Sequence, residues 1–358
     1  MKKIIINQQT KIYIMAPTNT FTGGPELLHQ LALNLKKNFN ANVKMIYLPN
    51  TTKDPVHKNF KKYKLNHTNF IEDDSRNVLI IPEHYMFLQY VLKYKNIKKV
   101  LWWLSLDNFF GFKFRYDFNK YLRSVIKVPL NLINVFNKIT NYYFGMTTYH
   151  DYLKIIYKLI NISKLKELMQ IDLHISQSFY ASEFLKKHFN NLKYLSDFQR
   201  EEIKKNKGSN LKYKKNLICY SNKSNEFIKK IIKTTNLKMI KLIGFNDKQI
   251  INIFKKTKIY LDFGYHPGKD RMPREAVLFN NCIITNKRGS AKNKYDIPIN
   301  NKYKYNENYN NLEKIKNHIF KIFDNYKNEL KNFKDYKKVI LNEKTTFNKD
   351  LEKIFIRK

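Results

Sequence analysis

Short apolar segments alternate with amphipathic ones along almost the whole chain, and this alternation restricts the fold more than any other feature. Lys11 to Ala16 is an apolar run of strand length. It is followed by Gly23-Gly24-Pro25 and by Glu26 to Phe39, in which Leu27, Leu28, Leu31 and Leu35 share one helical face. Gly24 is suited to cap that helix and Pro25 to occupy its first position. Val43 to Tyr47, Asn77 to Ile81, Val100 to Leu104 and Asp172 to Ser176 read as further strands, the last followed by a helix over Phe179 to His188. Arg200 to Lys215 reads as a polar linker. A second series then begins, with strands at Asn216–Tyr220, Met239–Ile243, Ile259–Phe263 and Cys282–Thr285. Helices at Glu226–Lys233, Asp247–Lys256 and Pro273–Phe279 separate them. A final helix carries Phe347, Leu351, Ile354 and Phe355 on one face. Strands alternating with helices imply parallel, doubly wound sheets, and 358 residues are enough for two such domains.

One stretch interrupts the alternation. Phe109 to Gln170 is aromatic and basic, with ten Lys and Arg against Asp117, Asp151 and Glu167. It fits either a helical pair covering the first sheet or a basic amphipathic insertion that meets anionic headgroups. The formal charge of the whole chain is +39, from 68 Lys and Arg against 29 Asp and Glu. Nucleic-acid binding is one reading of that charge. The abundance of Lys, Asn, Ile and Tyr, as an AT-rich genome produces, is the other. With eight arginines and no zinc-finger or RNP-type spacing, the second is preferred. The charge still favours anionic surfaces and anionic substrates.

Cys219 and Cys282 have no metal-ligand spacing and sit in apolar runs, as a reducing cytoplasm allows. The three isoleucines after Lys3 are too short for a signal peptide, and no window is long and apolar enough to span a membrane. The expected location is cytoplasmic, with peripheral attachment to the inner face of the plasma membrane as an extension of the charge argument.

In open α/β sheets ligands bind at the carboxyl ends of strands, and several strand ends here carry chemistry. Gly23 and Gly24 stand before a helix start, where backbone can approach a phosphate closely. Glu83 and His84 follow the third strand and Asp107 the fourth, positions from which they could orient hydroxyls or accept a proton, or from which Glu83 and Asp107 could cap the helices that follow. The richest segment runs from Asp262 through His266, Lys269, Asp270, Arg271 and Arg274 to Glu275. Cations in the first turn of a helix oppose its macrodipole at a cost of ~0.3–1 kcal/mol each. Three of the eight arginines fall at 271, 274 and 288, and a bound diphosphate would explain them. An ion-pair network through Asp270 or Glu275 is the alternative. The next strand ends in Asn286-Lys287-Arg288-Gly289-Ser290-Ala291, a second glycine turn with two cations and a hydroxyl.

These residues give the chain a resemblance to GT-B glycosyltransferases, and within them to the retaining, sugar-nucleotide-dependent bacterial enzymes of surface-polysaccharide and lipopolysaccharide assembly. The likeness is carried by Gly23 to Leu27, Trp102 to Asn108, Ser178 to Leu185, and above all His266 to Ala276 with Lys287 to Ala291. It implies an α/β GT-B fold of two Rossmann-like domains facing a cleft. The expected division is an acceptor-side domain over 1–175 with an insertion over about 109–170, a donor domain over 176–340, and a helix over 341–358 that crosses back. It also implies a metal-independent hexosyltransferase with no cofactor, whose co-substrate is a nucleotide-diphospho-sugar and whose acceptor is a glycan or lipid-linked glycan. Glu275 matches the family's second glutamate, which holds the donor ribose. The first glutamate of the retaining pattern belongs eight residues earlier, where this chain has Pro267.

The expected donor site is therefore Gly23, Gly24, Lys269, Arg271, Arg274, Glu275, Lys287, Arg288, Gly289 and Ser290. The expected catalytic groups are Glu83, His84, Asp107, His266 and Asp270. Other readings are a sugar-nucleotide epimerase of the same fold, a non-catalytic glycan binder and a basic nucleic-acid-binding protein.

Overall fold

The computed structural model describes residues 3–50, 52–124, 127, 129, 132, 160–208, 210–221, 223 and 226–358. The chain divides into two compact units, Met1–Asp197 with Thr346–Lys358, and Phe198–Thr345. Strand β1 (Ile4–Ile6) stands apart from the main sheet of the first unit. That sheet comprises β2 (Lys11–Pro17), β3 (Asn42–Leu48), β4 (Val78–Pro82), β5 (Lys98–Trp103), β6 (Leu173–Ser176) and β7 (Leu192–Tyr194). Its order is β3-β2-β4-β5-β6-β7 and every pairing is parallel.

Parallel strands covered on both faces need apolar side chains at every position. Accordingly Val78 to Pro82 is buried throughout, and so are Lys99 to Trp103. The two tryptophans of β5 point to opposite faces, and each buried indole N–H finds an acceptor. Trp102 donates to the Leu195 carbonyl at 3.2 Å and Trp103 to Nδ1 of His174 at 3.1 Å. Burial pushes the His174 imidazole down to about 3, which keeps Nδ1 an acceptor.

The second unit repeats the plan with β8 (Lys215–Ser221), β9 (Met239–Leu242), β10 (Thr257–Asp262), β11 (Cys282–Asn286) and β12 (Lys304–Tyr305). The order is β12-β11-β10-β8-β9, again all parallel. In both sheets the first strand of the series lies inside, the second on its outer side, and the third on its other side. The strand order thus reverses between β2 and β4 and between β8 and β10. A crevice opens at the carboxyl ends of the strands at such a reversal. The helix Asp247–Lys256 is held by a reciprocal cap between Asn246 and Gln249. Phe254, Ile259, Tyr260, Ile283, Ile284 and Ile319 form the centre of the core.

The last helix, Lys334–Ile354, begins in the second unit and ends in the first. β13 (Phe355–Arg357) follows it and pairs in parallel with β1.

Three sequence expectations differ from what is found. Arg200 to Lys215 is more than a polar linker, since it contains the helix Glu201–Lys205 with Ile203 buried and a buried Lys214. The helix after β2 runs from Gly23 to Phe39 with Thr22 as N-cap, so both glycines lie inside the first turn. Of the insertion expected over 109–170, the helix Leu106–Ser124 and a short helix at Lys166–Met169 are seen, and 133–159 lies outside the described residues. No helix among the described residues is long and apolar enough to cross a membrane.

Candidate active site

The strand reversal of the second unit brings together residues far apart in sequence. Lys223 follows β8, and the loop from Asp262 to Asp270 follows β10. The two loops touch, because a Cβ at Gly264 would lie 3.2 Å from the Lys223 backbone and 3.1 Å from the Asp262 carboxylate. Lys223 Nζ lies 3.1 Å from Asp270 Oδ1, linking the loops by an ion pair.

His266 is fully buried between two carboxylates. Its Nε2 lies 3.6 Å from Asp262 Oδ1 and its Nδ1 lies 3.3 Å from Asp270 Oδ2. Burial alone would lower the imidazole, but the two negative neighbours outweigh it and hold His266 above its ordinary value. Asp270 goes the other way. Against its burial, the Lys223 charge and the His266 ring keep it well below the carboxylate range. Asp262 is pushed up by burial, which the His266 charge only partly opposes. Tyr260 donates its hydroxyl to Asp262 Oδ2 at 3.0 Å.

Asp270 is also the N-cap of the helix Arg271–Leu278, yet its side chain makes no capping hydrogen bond. The first N–H groups of that helix thus lack the usual side-chain acceptor. Arg271 starts the helix and is half-buried, its carbonyl accepting from Gln199 Nε2 at 3.2 Å.

Arg274 occupies a different environment. It is fully buried, with Nη1 2.9 Å from Glu343 Oε1, Nε bonded to the Asp270 carbonyl and Nη2 to the Lys269 carbonyl. Lys269 reaches the same carboxylate oxygen at 3.4 Å, and the Gln199 N–H donates to Glu343 Oε2 at 3.2 Å. The ion-pair alternative therefore describes Arg274 and Lys269, with Glu343 as the acid in place of Asp270 or Glu275. These two cations are turned into the unit and anchor the loop; they do not face solvent. Glu275 is buried as well, with Arg200 Nη2 at 3.7 Å, and Arg200 also holds Asp247 at 2.6 Å and 3.0 Å. Burial holds Glu275 above its ordinary value although Arg200 and Arg271 oppose it.

The turn after β11 is fastened to the same loop. Asn286 Nδ2 donates to the Gly264 carbonyl at 2.6 Å and to Glu307 at 2.9 Å. The Ser290 N–H donates to the His266 carbonyl at 2.9 Å, and its hydroxyl to the Gly268 carbonyl at 2.5 Å. Gly289 has φ of 50°, and a Cβ there would stand 2.0 Å from the His266 carbonyl oxygen. Only glycine fits that contact. Arg288 is 42% exposed beside Glu307 at 3.0 Å, and Lys287 is exposed. Lys223, Lys287 and Arg288 at this edge keep contact with solvent, while Arg271 is half-buried with its Nε and Nη2 shut off from it.

In the first unit Glu83 closes β4. It is buried, and its Oε2 accepts from the Leu104 N–H at 3.0 Å. Burial pushes its carboxyl up to about 7, with the Leu104 and Ser105 N–H groups pulling the other way. His84 caps the helix Tyr85–Leu88 by accepting from the Met86 N–H at 3.2 Å, and it keeps partial exposure. Asp107 is buried and accepts from the Tyr180 hydroxyl at 2.8 Å. A Cβ at Gly23 would meet nothing within 4 Å, and one at Gly24 only Leu104 at 3.6 Å. The chain's own packing therefore does not demand glycine at either place, and the space above that helix start is open.

No protein-family model matches the chain, and no curated protein matches it in sequence. Solved structures do. The chain is similar to sucrose-phosphate synthase from Thermosynechococcus elongatus (TM-score 0.54, 9% identity), over 97% of this chain and 95% of that one. It is similar to Anabaena HepE, solved in complex with UDP-glucose (TM-score 0.55, 8% identity), over 96% and 98%. A third is the lipopolysaccharide outer core galactosyltransferase WaaB (TM-score 0.50, 9% identity), over 97% and 99%. The fold is that of the GT-B glycosyltransferases. The likeness extends over both units and nearly the full length of each of these proteins.

Lys223, Gln199, Arg200 and Glu343 were not foreseen as parts of this constellation. Lys223 is one lysine among many, and only the sheet order puts it at the reversal. Glu343 lies 69 residues beyond Arg274 on the last helix. Ile243 and Phe245, 58% and 39% exposed after β9, form an apolar edge beside the strand ends. Among the described residues no group of three or more His, Cys, Asp or Glu side chains could hold a metal ion.

Two predictions follow from this geometry. Gly289→Ala should lower the unfolding free energy of the second unit by about 2–4 kcal/mol, because loop separation and left-handed strain add. Urea midpoints check this. Glu83 titrates higher in the folded state than in the unfolded one, so the native state holds more protons between about pH 4.5 and about pH 7. Stability should fall as pH rises through that window and level off above it. Glu83→Gln retains an acceptor without the charge. It should gain on the order of 1–3 kcal/mol over wild type at pH 8 and little at pH 4.

Proposed function

We propose that the protein transfers a sugar from a nucleotide-diphospho-sugar to a glycan or lipid-linked glycan acceptor in cell-surface polysaccharide synthesis. The observation that carries this reading is the cluster at the β8/β10 reversal. There Lys223 and Arg271 adjoin an uncapped helix start on a chain with the GT-B fold. Helix N-termini and guanidinium groups are suited to diphosphates. HepE, of the same fold, was solved with UDP-glucose.

In this scheme the second unit holds the donor and the first unit serves the acceptor. The bond between the sugar's anomeric carbon and the diphosphate oxygen breaks, and its electron pair leaves with the diphosphate. Lys223, Arg271, Lys287, Arg288 and the backbone N–H groups at Arg271 and Met272 stabilise that charge. The acceptor hydroxyl oxygen forms the new bond to the anomeric carbon, and its proton passes to the departing diphosphate oxygen. In this reading the reaction is metal-independent and cofactor-free, with the charge carried by the chain's own cations. Glu275 keeps its proposed part in holding the ribose. His266 and Asp270 fix the loop that bears Arg271. Gly289 and Ser290 shape the turn. Lys269 and Arg274 act through Glu343, as supports of the loop. The charge of +39 supports a cytoplasmic enzyme that rests on an anionic membrane surface.

Lys223→Ala and Arg271→Ala should each lower kcat/KM for transfer by roughly 100-fold or more, with the fold intact by circular dichroism. Product formation from a panel of nucleotide-sugars is the measurement. Full activity in both variants would remove the site assignment.

A further inference from the structure

A solvent-open polar depression of about 360 Å³ lies in the first unit, lined by Asn50, Thr52, Lys53, Pro55, His67 and Asn69, all of them exposed except Pro55. Its position is set by the strand ends. The Thr18 N–H donates to the Leu48 carbonyl at 2.9 Å and the Thr18 hydroxyl to the Pro49 carbonyl at 2.6 Å. The Asn19 N–H donates to the Pro55 carbonyl at 2.9 Å. The wall of the depression is thus stitched to the turn that leads from β2 to Gly23 and Gly24, at the carboxyl end of the sheet where ligands collect.

Its far side is equally fixed. Asn66 and Thr68 pair with Met45 of β3, the Met45 N–H donating to Asn66 at 2.8 Å and the Thr68 N–H to Met45 at 3.0 Å. That pairing fixes the backbone from Asn66 to Thr68, and the His67 and Asn69 side chains beside it are exposed to solvent.

The lining has a defined chemistry. Asn50 and Asn69 each offer an amide donor and acceptor, and neither side chain is hydrogen-bonded to another described residue. Thr52 adds a hydroxyl, which donates to the Asp54 carbonyl at 3.2 Å and retains acceptor capacity. Lys53 forms no ion pair among the described residues, and the neighbouring Asp54 carboxylate is held by Lys61 at 2.5 Å. Phe70, the residue after Asn69, is 71% exposed and adds an apolar ring. Amides and a hydroxyl suit a ligand rich in hydroxyl groups. One unpaired cation suits one negative charge, with neither the arginine nor the helix start that a diphosphate would use.

We propose that this depression is a saccharide subsite that takes an anionic sugar unit of the acceptor, with Lys53 reading the charge and Asn50 and Asn69 the hydroxyls. The proposal rests on the glycosyltransferase reading for the word acceptor, but the site itself does not depend on it.

The test is an isothermal calorimetric titration of the full chain, without nucleotide, using glucose, glucuronic acid, glucose 6-phosphate and inorganic phosphate. At least one of the two anionic sugars should bind about tenfold more tightly than glucose and than inorganic phosphate. Which of them does so identifies the charged group as carboxylate or phosphate. Lys53→Ala should abolish that preference, and Asn69→Ala should weaken every sugar about fivefold. Equal binding of glucose, inorganic phosphate binding as tightly as the sugars, or an unchanged preference in Lys53→Ala would overturn the proposal. A thermal shift with nucleotide-sugars, run on the same variants, should match wild type. Its absence in wild type would count against the glycosyltransferase reading alone, while the sugar titration still decides the subsite.

Discussion

The contact between Gly289 and the His266 carbonyl governs the geometry of the second unit's strand ends. Two loops that leave adjacent parallel strands come so close that there is no room for a Cβ between them. Ser290 then donates two hydrogen bonds into the same loop, and Asn286 a third. The loop after β10 is therefore not free to relax when charges gather on it. This rigidity lets His266 sit between two carboxylates, and it lets Asp270 turn away from its own helix to meet Lys223.

A division of labour among the cations follows from that rigidity. Arg274 and Lys269 are removed from water, which is tolerable only because Glu343 receives both and backbone carbonyls take the remaining N–H groups. One carboxylate faces both, so their charge is offset in part, and it serves to fasten the loop to the last helix. Lys223 stays at the surface of the reversal, where Arg271 is half-buried, and Lys287 and Arg288 stay at the edge of the next turn. In the proposed reaction an incoming anion would meet this second group. Breaking the Arg274–Glu343 pair would leave a buried charge without a partner, so a substitution there damages the scaffold before it reports on chemistry.

Much of the fold was legible in the sequence because parallel strands buried on both faces leave near-continuous apolar runs. Lys11–Ala16 and Cys282–Thr285 fall within one residue of the observed strands, and Asp247–Lys256 coincides with its helix. The strands that escaped notice are short. β7 and β12 have three and two residues, too few to show a period, and β1 and β13 are defined by each other across the length of the chain. The same limit applies to the site. The macrodipole argument read the arginines near Pro273 as the mark of a bound diphosphate. For Arg274 the anion found is Glu343, which no local spacing could reveal. Lys223 was hidden for the opposite reason, since in so lysine-rich a chain only the sheet order singles it out.

The central claim is that the strand ends of the second unit form a diphosphate site. Hydrogen–deuterium exchange of the full chain with and without uridine diphosphate tests it most directly, since slowed exchange maps the contact without requiring the acceptor. The account predicts protection of the backbone at Lys223, from Gly264 to Met272 and from Lys287 to Ala291. Protection confined to other segments, with these three unchanged at saturating nucleotide, would contradict it.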